Sequence, residues 1–434
     1  MTGVQTCALP IWFYPRAADS AARLFANNEV IALISRGRAL ISKLANSVQR
    51  DELELRLVTT LGLIITGANY WRVEEQLDAL DRAQELSVKL GRHTNPIILK
   101  ALAINKLVQN DFVQIEQIGK QLVELGEETK DPTLPLQGHQ LLGITYSWLG
   151  AFDTARLNLE QATLYYDPLR FPEYIAAYSW DPKVICQCRL ALDLWCLGYP
   201  EQAQKTQQAS LLRAHEINHP FSIGYSSTWA IMLQFMLDNT PEALTQAEEL
   251  IALSKAHGMS WWLRYATVLY GCALLKSGQL AEGITELERG IADWQTLGNK
   301  INHILLYGHL APAYAKLGRL DRGIDISENA IALCKTQDRW YEAEMYRVYG
   351  DLLLSSNMQR AEAAFLQAIS IARTQSAKSF ELRAAVSLAK LWKSQDKASD
   401  ALNVLSPIYA WFTEGFDTHD LKEAKALVDQ LTLY

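Results

Sequence analysis

The sequence predicts an all-α, tetratricopeptide-like right-handed superhelix, an α-solenoid of about ten helix hairpins closed by a C-terminal capping helix. Three observations carry this expectation. Turn signals recur about every 40 residues, small residues follow them in register, and large apolar residues precede them. A fixed period of this size is the signature of a repeat array, whose hairpins bury their apolar stripes only by stacking on one another.

The turns are short Gly, Asn or Asp signals between helical patterns. They fall at Asn27-Asn28, Ala68-Asn69, Asn110-Asp111, Leu149-Gly150, Leu197-Gly198, Asp238-Asn239, Ser277-Gly278, Leu317-Gly318, Ser356-Asn357 and Gln395-Asp396. The small residues are Ala203, Ala243, Gly283, Gly323, Ala363 and Ala401, where two helices of a hairpin must approach closely. Trp195, Phe235, Leu274, Tyr314, Leu353 and Trp392 lie just before the turns and are expected to fill the space between hairpins. Armadillo and HEAT repeats share the period but do not account for the Leu-Gly turns; the usual tetratricopeptide period is about 34, so helices or connections here are longer.

In chain order, residues 1–11 (Met-Thr-Gly-Val-Gln-Thr-Cys-Ala-Leu-Pro-Ile) read as a translated sequencing adapter or as a short disordered leader. Residues 12–166 form the N-terminal repeats, and 167–182 a long connection, the one place where the beat is broken. Residues 183–434 form the C-terminal repeats and the capping helix. Pro312 and Pro407 fall inside helical patterns and are expected to kink them. The last helix, 418–431, carries Asp420, Lys422, Glu423 and Lys425, the polar outer face that an end cap requires.

Composition narrows the function. The net charge of −7 and pI of about 5.7, without a cluster of Lys and Arg, argue against nucleic-acid contact and against an anionic membrane surface. No apolar run reaches the roughly 20 residues that span a bilayer, and the scattered cysteines suit a cytoplasmic protein. The expected partner is a protein or peptide lying in the concave groove.

No constellation points to catalysis, a metal or a cofactor. His215 and His219 are spaced for a shared metal, but Pro220 ends the helix and no third ligand is near. Cys186, Cys188, Cys196 and Cys272 read as small buried residues. Asp51, Glu52 and Glu54 open a helix, where the dipole favours negative charge, and read as a solvated face. His303 and His309 lack a nucleophile or carboxylate at a recognisable spacing. Two groups are candidate partner-binding residues. Tyr174, Tyr178, Trp180 and Asp181 lie in the long connection, an aromatic and acidic mix suited to recognition or to packing as a surface flap. Trp261, Trp262, Arg264 and Tyr265 open a first helix, the kind that lines a concave face; adjacent residues diverge, so at least one tryptophan belongs to the core.

Several motifs carry a family resemblance: Tyr166-Asp167-Pro168, Trp180-Asp181-Pro182-Lys183-Val184, 195–203 (Trp-Cys-Leu-Gly-Tyr-Pro-Glu-Gln-Ala), His219-Pro220-Phe221-Ser222, 340–344 (Trp-Tyr-Glu-Ala-Glu), Leu382-Arg383-Ala384-Ala385, 409–418 and 420–425. From about Trp12 onward the chain resembles the C-terminal repeat region of bacterial class III adenylate or guanylate cyclase fusions with a predicted signal-transduction ATPase. The resemblance implies repeats that receive a partner and control an ATPase domain in cis, beside a cyclase, a winged-helix domain or a kinase. The phosphate-loop pattern, the kinase pattern and the cyclase aspartates of that family are absent from these residues, so its chemistry is not placed here. The alternatives are the repeat module of a winged-helix transcription regulator and a free-standing scaffold or adaptor.

Overall fold

The computed structural model describes residues 12–23, 27–67, 73–91, 95–178, 180–296, 302–336 and 338–433. Among them there are helices and no strand, the expected all-α class. The adapter-like start and the turn at Ala68-Asn69 lie outside the described residues. The chain divides into two compact units, 1–107 and 108–434.

The first unit contains α1 (Phe13–Arg23), α2 (Asn27–Ile41), α3 (Val48–Gly67), α4 (Val73–Lys89) and α5 (Pro96–Val108), the last running one residue past the boundary. Its acidic trio is not the solvated face the sequence suggests. Asp51 and Glu54 are buried, Asp51 pairing with Lys89 at 2.6 Å and Glu54 with Arg82 through two bonds of 2.9 and 3.1 Å. The negative charge does fall at the start of α3, but Arg82 and Lys89, about two helical turns apart on the facing α4, draw it into the interior.

The second unit opens with α6 (Phe112–Thr129) and continues as seven hairpins among the described residues. These are α7 (Thr133–Leu149) with α8 (Phe152–Leu164), α10 (Pro182–Cys196) with α11 (Pro200–Glu216), α12 (Pro220–Met236) with α13 (Thr240–Ala256), and α14 (Ser260–Lys276) with α15 (Leu280–Thr296). Then come α16 (His303–Lys316) with α17 (Leu320–Leu333), α18 (Glu342–Leu353) with α19 (Met358–Thr374), and α20 (Lys378–Ser394) with α21 (Ala398–Trp411). A short helix, α9 (Phe171–Tyr178), interrupts the series and α22 (His419–Leu431) closes it. First helices of successive hairpins touch one another, and each second helix packs on first helices from outside. That asymmetry makes the inner layer tighter than the outer and curves the array.

The turns follow from local chemistry. Asn110, Gly150, Gly198, Asp238, Gly278, Gly318 and Asp396 all take left-handed φ between 59° and 95°, which Gly, Asn and Asp tolerate best. At the turns after α10, α12, α14, α16 and α20 the same bond recurs, from the N–H three residues past the helix to a carbonyl five residues back: Tyr199 to Leu194, Asn239 to Gln234, Gln279 to Leu274, Arg319 to Tyr314 and Lys397 to Trp392, at 2.8–3.0 Å.

Ala203, Ala243, Gly283, Gly323 and Ala401 are buried where the two helices meet. At Gly323 a Cβ would stand 2.6 Å from the Ala311 carbonyl oxygen, so only glycine permits this approach. Ala363 is exposed, and Ala361 holds its place. The stretch Ala-Glu-Ala-Ala offers several candidates; the inward one is fixed by where α19 begins, with Asn357 accepting the Arg360 N–H at 3.0 Å. Trp195, Phe235, Leu274, Tyr314 and Leu353 are buried as expected, and Trp392 is half-buried. Each full burial is worth roughly 1.5–3 kcal/mol, more than a turn contributes, so stacking holds the array. Helices run through Pro312 and Pro407. Of the four polar residues expected to cover the outer face of α22, Lys422 and Lys425 face outward; Asp420 and Glu423 turn toward α20, where Arg383 and Lys390 meet them at 2.9 and 2.5 Å.

The second unit winds far enough for its later hairpins to close on its earlier ones. The Trp148 carbonyl accepts from the N–H groups of Arg339 and Trp340 at 2.8 and 3.1 Å. Ser379 donates to the Trp195 carbonyl at 2.5 Å and Arg383 to the Met236 carbonyl at 2.6 Å. Glu414 accepts from the N–H groups of Glu201 and Gln202 at 2.9 and 3.0 Å, capping α11, whose own N-cap Tyr199 makes no side-chain bond. Glu414→Ala should therefore cost about 1 kcal/mol, the usual value of a helix cap, read as a lower urea midpoint. A midpoint unchanged within error would show that this contact carries no weight.

Candidate functional site

The sequence-named residues fall into three environments. Tyr174 is buried against Leu136, Leu159, Ala162 and Cys186, its ring 5.5 Å from Tyr166. Asp181 is wholly buried and caps α10, its Oδ1 accepting from the N–H groups of Lys183 and Val184 at 2.8 and 3.2 Å. Its Oδ2 accepts from the Tyr166 hydroxyl at 2.7 Å and from Arg213 at 3.3 Å. Burial, with Asp181 as acceptor, pushes the Tyr166 phenol up. Of the two roles open to the long connection, these two side chains serve to fasten it to the array. Trp180 is half-buried and stacks on Phe221 at 5.9 Å; the side chain of Tyr178 lies outside the described residues.

On α14, Trp262 is the core tryptophan, 5.1 Å from Phe221 and 5.7 Å from Tyr225. Tyr265 is buried too, its hydroxyl accepting from Asn302 at 2.9 Å. Trp261 is half-buried and stacked on Trp294 at 5.8 Å, and Arg264 is exposed. His219, one of the spaced pair, caps α12 by accepting the Ser222 N–H at 3.3 Å.

Much of the concave face is filled by the chain itself. Trp148, Trp229 and Trp340 pack edge to face at 5.9 and 6.3 Å, and Trp195, Phe380 and Tyr341 form a second cluster at 5.2 and 5.6 Å. A groove of about 620 Å³ remains beyond these clusters, between the ends of α12 and α14 and the inner sides of α18, α20 and α22. Charged side chains dominate its wall: Asp238 and Lys276 from one side, Glu344, Arg347, Asp351, Arg383, Lys390, Asp420 and Glu423 from the other.

These charges form a ladder of alternating sign. Lys276 meets Asp238 at 2.7 Å, Arg347 meets Glu344 at 2.8 Å and also Asp351, and Arg383 bridges Asp420 at 2.9 Å and Glu344 at 3.5 Å. Burial alone would raise the Glu344 carboxyl, but Arg347 and Arg383 overcome it and hold it at about 2. Burial raises Asp351, with Arg347 pulling the other way. His419 at the rim is raised through Asp420 and Asp238. Neighbouring His309 is half-buried with its Nε2 sealed from water, and this desolvation drops it to about 3, so it is neutral and adds no charge.

None of these residues stood out in the sequence as a binding group; Asp420 and Glu423 read there as the outer face of an end cap and Asp238 as a turn residue. A signal was present, because Glu344, Arg347 and Asp351, and again Arg383 and Lys390, recur at helical spacing on first helices that otherwise bury apolar residues. Periodicity alone could not tell that stripe from a solvated face.

No family model and no curated protein matches the chain. Among solved structures, Rap protein in complex with Competence and Sporulation Factor superposes with a TM-score of 0.54 at 13% identity, covering 85% of this chain and 99% of that one. The apo quorum sensor NprR from B. thuringiensis gives 0.47 at 13% identity, over 83% and 99%. A signal transduction ATPase with a tetratricopeptide repeat sensor from Pyrococcus horikoshii gives 0.44 at 17% identity, over 91% of this chain and 56% of that one. At 13% identity the likeness to Rap protein establishes the fold alone.

Proposed function

We propose that the chain is a non-catalytic interaction and regulatory module whose charged groove receives a peptide or partner segment carrying both signs of charge. The groove's size and its alternating ladder carry this reading. Its cations and carboxylates are engaged with one another, which suits exchange of ion pairs with a partner. The Rap protein whose fold it shares is complexed with Competence and Sporulation Factor, which is compatible with this reading.

The family resemblance extends the proposal. The chain serves as the sensory part of a bacterial signalling ATPase linked to a nucleotide cyclase, in the cytoplasm, its partner being a peptide or the ATPase domain in cis. Among the described residues no helix is long and apolar enough to cross a membrane. Genomic sequence upstream of Trp12 tests this extension: a phosphate loop with cyclase aspartates supports it, a basic helix-turn-helix pattern favours a transcription regulator, and a start codon close to Trp12 favours an adaptor.

The groove itself is tested by titrating the chain with an array of mixed-charge decapeptides. The tightest binder should weaken as salt rises and lose about tenfold in affinity in Lys390→Glu, a rim residue whose replacement opposes two like charges beside Glu423. Equal binding to both chains, or turnover of ATP or GTP by the purified chain, overturns the reading.

A further inference from the structure

The closure of the second unit follows a seam. Three successive first helices each give a last-turn carbonyl, left over by the helix's own ladder, to the later hairpins. α7 gives Trp148 to the N–H groups of Arg339 and Trp340, α10 gives Trp195 to the Ser379 hydroxyl, and α12 gives Met236 to Arg383. On α11, Glu414 caps the N–H groups of Glu201 and Gln202, and the Gly415 N–H donates in return to Glu201 at 2.8 Å.

The charged groove begins at the last carbonyl of this seam, and its two walls belong to opposite sides of it. Asp238 and Lys276 stand at the ends of the earlier helices α12 and α14, whereas Glu344, Arg383 and Asp420 come from the later ones. Arg383 serves both sides. Its Nη2 donates to the Met236 carbonyl across the seam at 2.6 Å and its Nε to Asp420 at 2.9 Å, while its Nη1 lies 3.5 Å from Glu344. The guanidinium also stands 4.8 Å from the ring centre of Trp195, on the earlier side. All three nitrogens are therefore directed, on a side chain only 14% exposed. A looser contact crosses the gap at the rim, where His419 Nδ1 is 3.9 Å from Asp238.

We propose that groove and seam work as one switch: an occupant touching both walls clamps the superhelix shut, and Arg383 is the positioning residue that couples the two. A segment seated on Asp238 and Lys276 on one wall and on Asp420 on the other finds its full set of partners only while the walls face each other. It binds the closed form more tightly than an open one and shifts the chain toward it. Arg383 carries the coupling because opening the seam withdraws the Met236 carbonyl. The fork then loses one of its fixed points, and with it the geometry that holds Asp420 and Glu344 in the groove wall. This rests on the groove reading and adds its regulation: occupancy is converted into closure.

The test is hydrogen exchange of the intact chain. The N–H groups of Glu201 and Gln202 lie in the first turn of α11, where no intrahelical acceptor exists, so their protection, like that of Gly415, comes from bonds across the seam. With the tightest mixed-charge decapeptide at about ten times its Kd, exchange at these positions should slow about tenfold. The Arg319 N–H, bonded within its own turn to Tyr314, should keep its rate. In the peptide-free chain Arg383→Lys, which keeps the charge and loses the fork, should speed exchange at the seam positions about fivefold or more and again leave Arg319 unaffected.

A decapeptide that binds without slowing exchange at the seam overturns the coupling and leaves the groove reading standing. Equal slowing at Arg319 overturns it too, because the seam then does not open by itself, and so does an Arg383→Lys chain whose seam exchanges at the parent's rate. If no decapeptide binds, the groove reading fails and the switch with it. Should Arg383→Lys not fold, the peptide comparison on the unaltered chain decides alone.

Discussion

Gly198→Ala is expected to destabilise the second unit by roughly 2–5 kcal/mol, against roughly 1–2 kcal/mol for Gly278→Ala. Both glycines end a first helix with left-handed φ, +95° and +90°, so both substitutions incur the same backbone penalty. Their surroundings differ. A Cβ on Gly198 would stand 2.6 Å from Cζ3 of Trp411 and 2.9 Å from Cβ of Lys378, both brought there by the closing hairpin. A Cβ on Gly278 meets nothing within 4 Å. The excess loss at Gly198 therefore measures the closure, and urea denaturation followed by tryptophan fluorescence reads it. Trp411→Ala should recover part of the excess, because the two sites share one contact. Equal losses at the two glycines would mean that the last hairpin does not dock on α11.

The same pair shows what a sequence of this kind discloses. Both glycines were legible as turn residues, because the left-handed conformation narrows the choice to Gly, Asn or Asp wherever it recurs. The anchors before each turn were legible for a similar reason, since an inner helix buried on two sides needs large apolar residues at a fixed distance from its end. Closure was not legible. Its bonds join residues 147 to 214 apart, and most run to backbone carbonyls or N–H groups, which leave no trace in residue type. The candidate groove was hidden likewise: Arg383 finds Asp420 37 residues on and the Met236 carbonyl 147 back. Aromatic residues drew attention in the sequence because interfaces favour them, yet here Tyr174, Trp262 and Tyr265 fill the interior. In a tightly wound array the largest side chains are needed inside, and the exposed lip is left to charge.

A second large effect is expected in the pH dependence of stability, where four desolvated groups oppose one another. Burial pushes the carboxyls of Asp193 and Asp338 up to about 7, although Arg189 pulls both down. Burial drops His303 to about 4 and His309 to about 3. Between roughly pH 4.5 and 6.5 the unfolded chain has these aspartates ionised and these histidines protonated, whereas the folded chain has all four neutral. Each aspartate then holds an extra proton in the folded state, so its contribution falls as pH rises, by about 1.4 kcal/mol per pH unit. Each histidine holds an extra proton in the unfolded state, so its contribution rises by the same amount. The two pairs cancel, and these four groups leave the unaltered chain with little slope across that window. Asp193→Asn removes one falling contribution while keeping an acceptor for Ser147 Oγ, 2.5 Å away. Stability of the variant relative to the parent should therefore climb with pH by about 1.4 kcal/mol per unit, close to 3 kcal/mol across the window. His309→Gln should tilt the difference the other way. Urea midpoints at pH 4.5, 5.5 and 6.5 decide the matter: a parallel offset between Asp193→Asn and parent at all three would mean that Asp193 is ionised inside the fold, held there by Arg189.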